Sequence, residues 1–236
     1  MSNFAIMNDM RKQEITVNAV PDRFCLRYLL WLGIIAPLFI VAMVLIAAAV
    51  TPGYSHLYRA VSTLGIVGID IVPHPAVFNV SIIAYGLMMI AYAYGVYHLL
   101  GRNRDAKAIA ILLIVHAVGI LFVGIFHDEI LYAGEVVSAE AIIHTTFAVA
   151  SYFALLVLMC LFCIMTWRNS DWKGIIWFTS VIIIASLPLV GLFIFKEGRY
   201  LGLFQRVGYG VTLFWVFVFT LKLLWLSRKS PGDHAR

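Results

Sequence analysis

Long apolar runs separated by short polar breaks set the pattern of this chain. Six runs stand out, at residues 29–50, 77–100, 106–126, 141–167, 174–195 and 207–226. Each reaches the roughly 20 residues that a helix rising about 1.5 Å per residue needs to cross a hydrocarbon core about 30 Å thick. Helices are predicted because every backbone polar group in lipid must be paired within its own segment. The strict alternation of apolar and polar positions that marks a membrane barrel is missing. The pattern predicts an all-α, polytopic integral membrane bundle of six helices over residues 29–226, with tails at 1–28 and 227–236.

The breaks are of two kinds. "GRNRD" after the second run and "RNSDWK" after the fourth are short, which forces antiparallel neighbours. The breaks on the other side are longer, and the first of them reads "TPGYSHLYRAVSTLG" over residues 51–65. Thr51 before Pro52 is a good helix start, and Tyr54, Leu57, Tyr58, Val61 and Leu64 repeat at helical spacing. Ser55, Arg59 and Ser62 fall on the opposite side, and Gly65, Gly68, Pro73 and Pro75 end the segment. A short helix is therefore expected here, lying on the outer membrane surface or tucked into the mouth of the bundle.

Composition agrees with a membrane setting: 63% of the 236 residues are hydrophobic and 12% charged, against about 45–50% and about 25% in an ordinary soluble domain. Charge then fixes the expected direction of insertion. Arg11, Lys12, Arg23 and Arg27, then Arg102, Arg104 and Lys107, then Arg168 and Lys173, and finally Lys222, Arg228, Lys229 and Arg236 collect on one side. The connection from His127 to Glu140, on the other side, holds Asp128, Glu129, Glu135 and Glu140 and no basic residue. Basic residues are retained on the cytoplasmic side, so both termini are expected there, in a plasma membrane or a bacterial inner membrane. The net charge of +5 is spread along membrane edges, which argues against a nucleic-acid partner. The mixed charges of the first 27 residues and the length of the first run favour an uncleaved first span over a secretory signal. Cys25, Cys160 and Cys163 all fall on the cytoplasmic side, and the Cys-x-x-Cys spacing within the fourth run is read as small buried packing residues.

Candidate chemistry comes from the polar residues that remain near the outer ends. Ionisable groups in hydrocarbon need a partner or a water-lined pocket. Glu140, His144 and Ser151 lie in a narrow stripe of the fourth helix, His116 and His127 lie in the third, Gln205, Arg206, Tyr209 and Thr212 precede or open the sixth, and Asn79 and Ser81 open the second. Separate elements thus place polar groups in the outer half, and a polar cavity open to the outer leaflet is the simplest account. Arg59 and Arg206 are the candidate anion contacts, with Asp128 and His144 organising the mouth. An alternative set is metallic: His127, Asp128, Glu140 and His144 offer nitrogen and oxygen ligands for zinc, although no His-Glu-x-x-His pattern is present. No second histidine shares the depth of His116, which weakens a haem reading.

Five stretches carry a family resemblance: "YSHLYRAVSTLG", "FNVSIIAYGLMMIAY", "GIFHDE", "HTTFAVASYFALL" and "GLFQRVGYG". The chain resembles domain-of-unknown-function family 998. The resemblance implies a six-helix membrane protein in which Ser62 with Leu64 and Gly65, Asp128, His144, and Gln205 with Arg206 occupy recurring polar positions. That family often has a proline near the position of His127, and this chain has none. The layout is also similar to the Frag1, DRAM and Sfk1 group of six-span proteins, some of which are associated with lipid homeostasis.

The leading expectation is a protein without cofactor that binds a membrane lipid headgroup or small amphiphile through Arg59, Ser62, Asp128, His144, Gln205 and Arg206. A homo-oligomer is compatible with the sequence. The enzyme alternative is a zinc-assisted hydrolase or transferase acting on lipid, with Ser62 assisting or attacked. The third class is a proton-coupled transporter using His116, against which stands the lack of an inverted repeat or of paired broken helices.

Overall fold

The computed structural model describes residues 24–130, 136–195 and 200–228. Among these residues there is no strand, and six long helices carry the fold: α1 Phe24–Ala49, α2 Pro75–Leu99, α3 Arg104–Ile125, α4 Ala139–Thr166, α5 Lys173–Phe195 and α6 Leu201–Leu226. Within the described residues, α1, α2, α3, α4 and α6 are long and apolar enough to cross a membrane. The chain is a multi-pass helical membrane protein. α5 has 23 residues.

Local chemistry explains the ends. Pro75 opens α2, where a missing N–H costs nothing. Asn103 caps α3 by accepting the Ala106 N–H at 2.8 Å, and Ser138 caps α4 by accepting the Ala141 N–H at 3.1 Å. Gly101 (φ 87°) and Arg102 (φ 58°) turn the chain between α2 and α3 in the left-handed region. All six helices begin ahead of their apolar runs, and α1 at Phe24 and α6 at Leu201 do so by more than a turn. In α6 the added turn includes Gln205 and Arg206, whose side chains find partners outside the helix, so their polarity does not stop it.

Consecutive helices pack against one another, and α1 closes the ring against α6. Small residues allow the close approaches. A Cβ on Gly33 of α1 would run into Thr220 Oγ1 and the ring of Tyr92, and one on Gly119 of α3 would run into Ser151. Inside the ring Tyr92 accepts a hydrogen bond from Thr220 (2.7 Å), and Trp215 donates from Nε1 to Thr179 (2.8 Å). Phe162, Trp172, Trp215 and Phe219 form an aromatic core, with Trp215 stacked on Phe219 at 4.9 Å. Lys222 lies 4.0 Å from the centre of the Trp225 ring near the end of α6. Cys160 is exposed on the helix exterior and Cys163 half-buried, so the expectation of a buried pair fails at Cys160.

The short helix expected over residues 51–65 is replaced by turns. Its helical part is one 3-10 turn at Ser62–Gly65. Leu57 and Tyr58 are exposed, at 45% and 47%, whereas Leu64 is buried at 1%, so the five residues share no common face. The reason lies in competition for backbone groups. The carbonyls of His56, Leu57 and Arg59 and the N–H of Val61, which a helix would use internally, are taken by α6. Gly53 (φ 65°) supplies the left-handed residue that turns the chain away from α1.

Candidate functional site

At the long-loop end of the bundle, the connection 51–65 lies across the start of α6 and is held there along its length. The Leu203 N–H, one of the donors a helix leaves free in its first turn, bonds to the Leu57 carbonyl at 3.1 Å. Gln205 Oε1 accepts the Val61 N–H at 2.7 Å. Gly202 lies directly under the strap, where a Cβ would strike the carbonyls of Arg59 and His56.

Arg206 is the centre of this clasp. Its Nε donates to His56 Nδ1 (3.1 Å), Nη1 to the carbonyls of His56 (2.9 Å), Arg59 (3.2 Å) and Gly202 (2.8 Å), and Nη2 to the Tyr54 hydroxyl (2.5 Å). A guanidinium has five N–H donors, so one remains on Nη2. Every acceptor is neutral, and among the described residues the guanidinium has no carboxylate partner. Tyr54 passes the bond on by donating to the Ala60 carbonyl at 2.7 Å. Burial pushes the Tyr54 phenol above its ordinary value, against the opposing pull of Arg206. His56 is pushed below its ordinary value, by burial first and by the Arg206 charge second.

The far end of the strap meets the α3–α4 connection. Ser62 Oγ donates to Asp128 Oδ2 at 2.6 Å, and Asp128 Oδ1 accepts the Glu129 N–H at 3.0 Å. Gly65 is fixed from below, its carbonyl accepting from Asn79 Nδ2 of α2 at 2.9 Å. His144 Nδ1 lies 2.8 Å from the Phe126 carbonyl at the end of α3, and as donor it satisfies an acceptor that the helix leaves open. Glu140 takes both the His127 N–H (2.7 Å) and His127 Nδ1 (2.6 Å).

The expected site residues therefore meet at one end of the bundle, in an order the sequence did not announce. Gln205 and Arg206 hold the strap, Ser62 and Asp128 join it to the next connection, and His144 ties down the end of α3. Arg59 contributes its carbonyl to the clasp. Its half-buried guanidinium has no hydrogen-bond partner among the described residues. The role expected of Arg206 as an anion contact is narrowed, because most of its donors are committed to the protein itself.

The metal alternative divides into separate contacts. Glu140 is paired with His127, Asp128 with Ser62, and His144 with a backbone carbonyl. Among the described residues no group of three or more His, Cys, Asp or Glu side chains comes together to hold an ion. His116 lies deeper, between helices, with Nε2 3.0 Å from the Tyr85 hydroxyl and Nδ1 2.8 Å from Ser151 Oγ. The stripe Glu140, His144 and Ser151 is thus the face that α4 turns to α3.

His56 and Tyr54 are the residues that sequence reasoning left out of the site. Tyr54 falls on the apolar face, and His56 off the polar stripe, of a helix that does not form. The signal lay in a titratable ring flanked by aromatic residues in "YSHLYR", facing "FQR" about 150 positions away.

With this geometry the class is a helical membrane protein whose long connections are tied to helix ends at one side. The chain belongs to the family described as Protein of unknown function (DUF998), which matches residues 34–222. No curated protein and no solved structure matches the chain.

Proposed function

We propose that this is a six-span, non-enzymatic membrane protein that binds the anionic headgroup of a membrane lipid, or a small anionic amphiphile, at the outer mouth. In this reading α5 is the sixth crossing, both termini face the cytoplasm, and the strap 51–65 roofs the outer end. The observation that carries it is charge. Arg59 and Arg206 sit on one strap and its clasp, Arg206 is matched by neutral acceptors, and the Arg59 guanidinium has no hydrogen-bond or ion-pair partner among the described residues. Asp128 is held by Ser62 and by a backbone N–H. A half-buried cationic mouth of this kind favours a phosphate or carboxylate, which a guanidinium binds through parallel N–H donors. Gln205, Asp128 and His144 would position the mouth and Arg59 would touch the ligand.

The test is a titration of detergent-solubilised protein with phosphatidylglycerol and with phosphatidylcholine, followed by native mass spectrometry. The reading expects preference for phosphatidylglycerol and about a tenfold loss of it in Arg59→Ala, the value of one charge-assisted contact of about 1.4 kcal/mol. Equal retention of the two lipids, or an Arg59→Ala protein that binds like wild type, contradicts it.

A further inference from the structure

We propose that the strap is released by protonation of His56, and that its release governs access to the mouth. The second half rests on the anionic-headgroup reading above, and the first does not. The argument begins at one nitrogen. Arg206 Nε can only donate, so His56 Nδ1, 3.1 Å away, must be the bare nitrogen of a neutral ring whose hydrogen is on Nε2. A second proton can go only to Nδ1. It would turn the acceptor into a donor aimed at another donor, and place two cations at that same distance.

His56 is exposed to solvent, and among the described residues its protein surroundings offer that proton no compensation. From α6 the facing charge is Arg206; from the strap itself the Tyr54 ring meets His56 edge-on at 5.5 Å. Among the described residues no carboxylate pairs with the imidazole. Burial and the Arg206 charge both hold His56 below its ordinary 6.5. The sign follows: the folded clasp prefers the neutral ring, so its contribution is complete above that ordinary value and is lost as pH falls through the lowered one. The same guanidinium also holds the carbonyls of His56 and Arg59 and the Tyr54 hydroxyl. Displacing it loosens the strap at four acceptors together. Imidazole is the side chain whose ordinary titration lies close enough to neutrality to suit such a switch, and here it is moved downward.

Hydrogen exchange on the full chain in phosphatidylcholine nanodiscs tests the release without any anionic ligand. Two amides report it: Val61 N–H, bonded to Gln205, and Leu203 N–H, bonded to the Leu57 carbonyl. After correction for intrinsic exchange, their protection is expected to fall about tenfold or more between about pH 7.5 and about pH 5 in wild type. In His56→Gln, whose Oε1 still accepts from Arg206 but does not titrate, it is expected to stay level. Protection that is flat with pH in wild type, or that falls equally in His56→Gln, overturns the proposal. Phosphatidylglycerol binding at the same two pH values then tests access. A pH dependence present in wild type and absent in His56→Gln supports it. Binding that ignores pH while the strap opens refutes the access step, and whether the headgroup binds at all is decided separately by Arg59→Ala.

Discussion

Replacing Arg206 by Ala removes the clasp while leaving every other contact of the strap in place, and its cost can be worked from the hydrogen bonds. Four of the acceptors, His56 Nδ1, the His56 and Arg59 carbonyls and the Tyr54 hydroxyl, belong to the strap. A bond to a charged donor contributes about 1.5–3 kcal/mol when buried, and less at a half-exposed site such as this. Allowing about 0.5–1 kcal/mol apiece gives roughly 2–4 kcal/mol of local stability, which multiplies the open population by at least about 30. Trypsin reads this directly, because Arg59 lies inside the strap and cleavage after it requires local opening. When reclosing outpaces cleavage the cutting rate follows the open population. The expected result, in proteoliposomes with the connection outward and with fragments identified by mass spectrometry, is cleavage after Arg59 accelerated at least about tenfold in Arg206→Ala. Arg206→Lys should fall near the alanine variant, since a point charge cannot span acceptors arranged around a planar fork. Cleavage within about twofold of wild type in Arg206→Ala would refute the claim that this side chain seats the strap.

Other outcomes follow from the packing. Gly33→Ala should overpack the contacts of α1 with Thr220 of α6 and Tyr92 of α2, costing about 1–3 kcal/mol and lowering the unfolding midpoint in detergent by several degrees. Asn79→Ala leaves the Gly65 carbonyl without its donor under the strap, an expected loss of about 1–3 kcal/mol in a denaturant titration. Val136, 91% exposed in the α3–α4 connection, should as Val136→Cys react with an impermeant maleimide from outside intact cells; labelling from the cytoplasmic side alone contradicts the proposed orientation.

The helices were legible in the sequence because lipid leaves so little choice: a run of about 20 apolar residues has to pair its backbone internally. Glu140, His144 and Arg206 were also legible, since groups costly to place in hydrocarbon announce that they have partners. Which partners was hidden. Glu140, His144 and Ser151 read as one stripe but are spent on His127, the Phe126 carbonyl and His116, three separate contacts along α3 and its end. The strap misled for a related reason. Its helical spacing was real, but the competing donors, Leu203 and Arg206, lie about 150 residues further along, where periodicity within a short window carries no information about them. His56 gained its meaning only from the Arg206 Nε that faces it.

The most direct test is a cryo-electron microscopy map of the protein in nanodiscs containing phosphatidylglycerol. The account predicts the strap seated on the start of α6 with Arg206 beneath it, and headgroup density within hydrogen-bond reach of the Arg59 guanidinium. A seated strap with Arg59 turned to open water and no lipid at the mouth would contradict it.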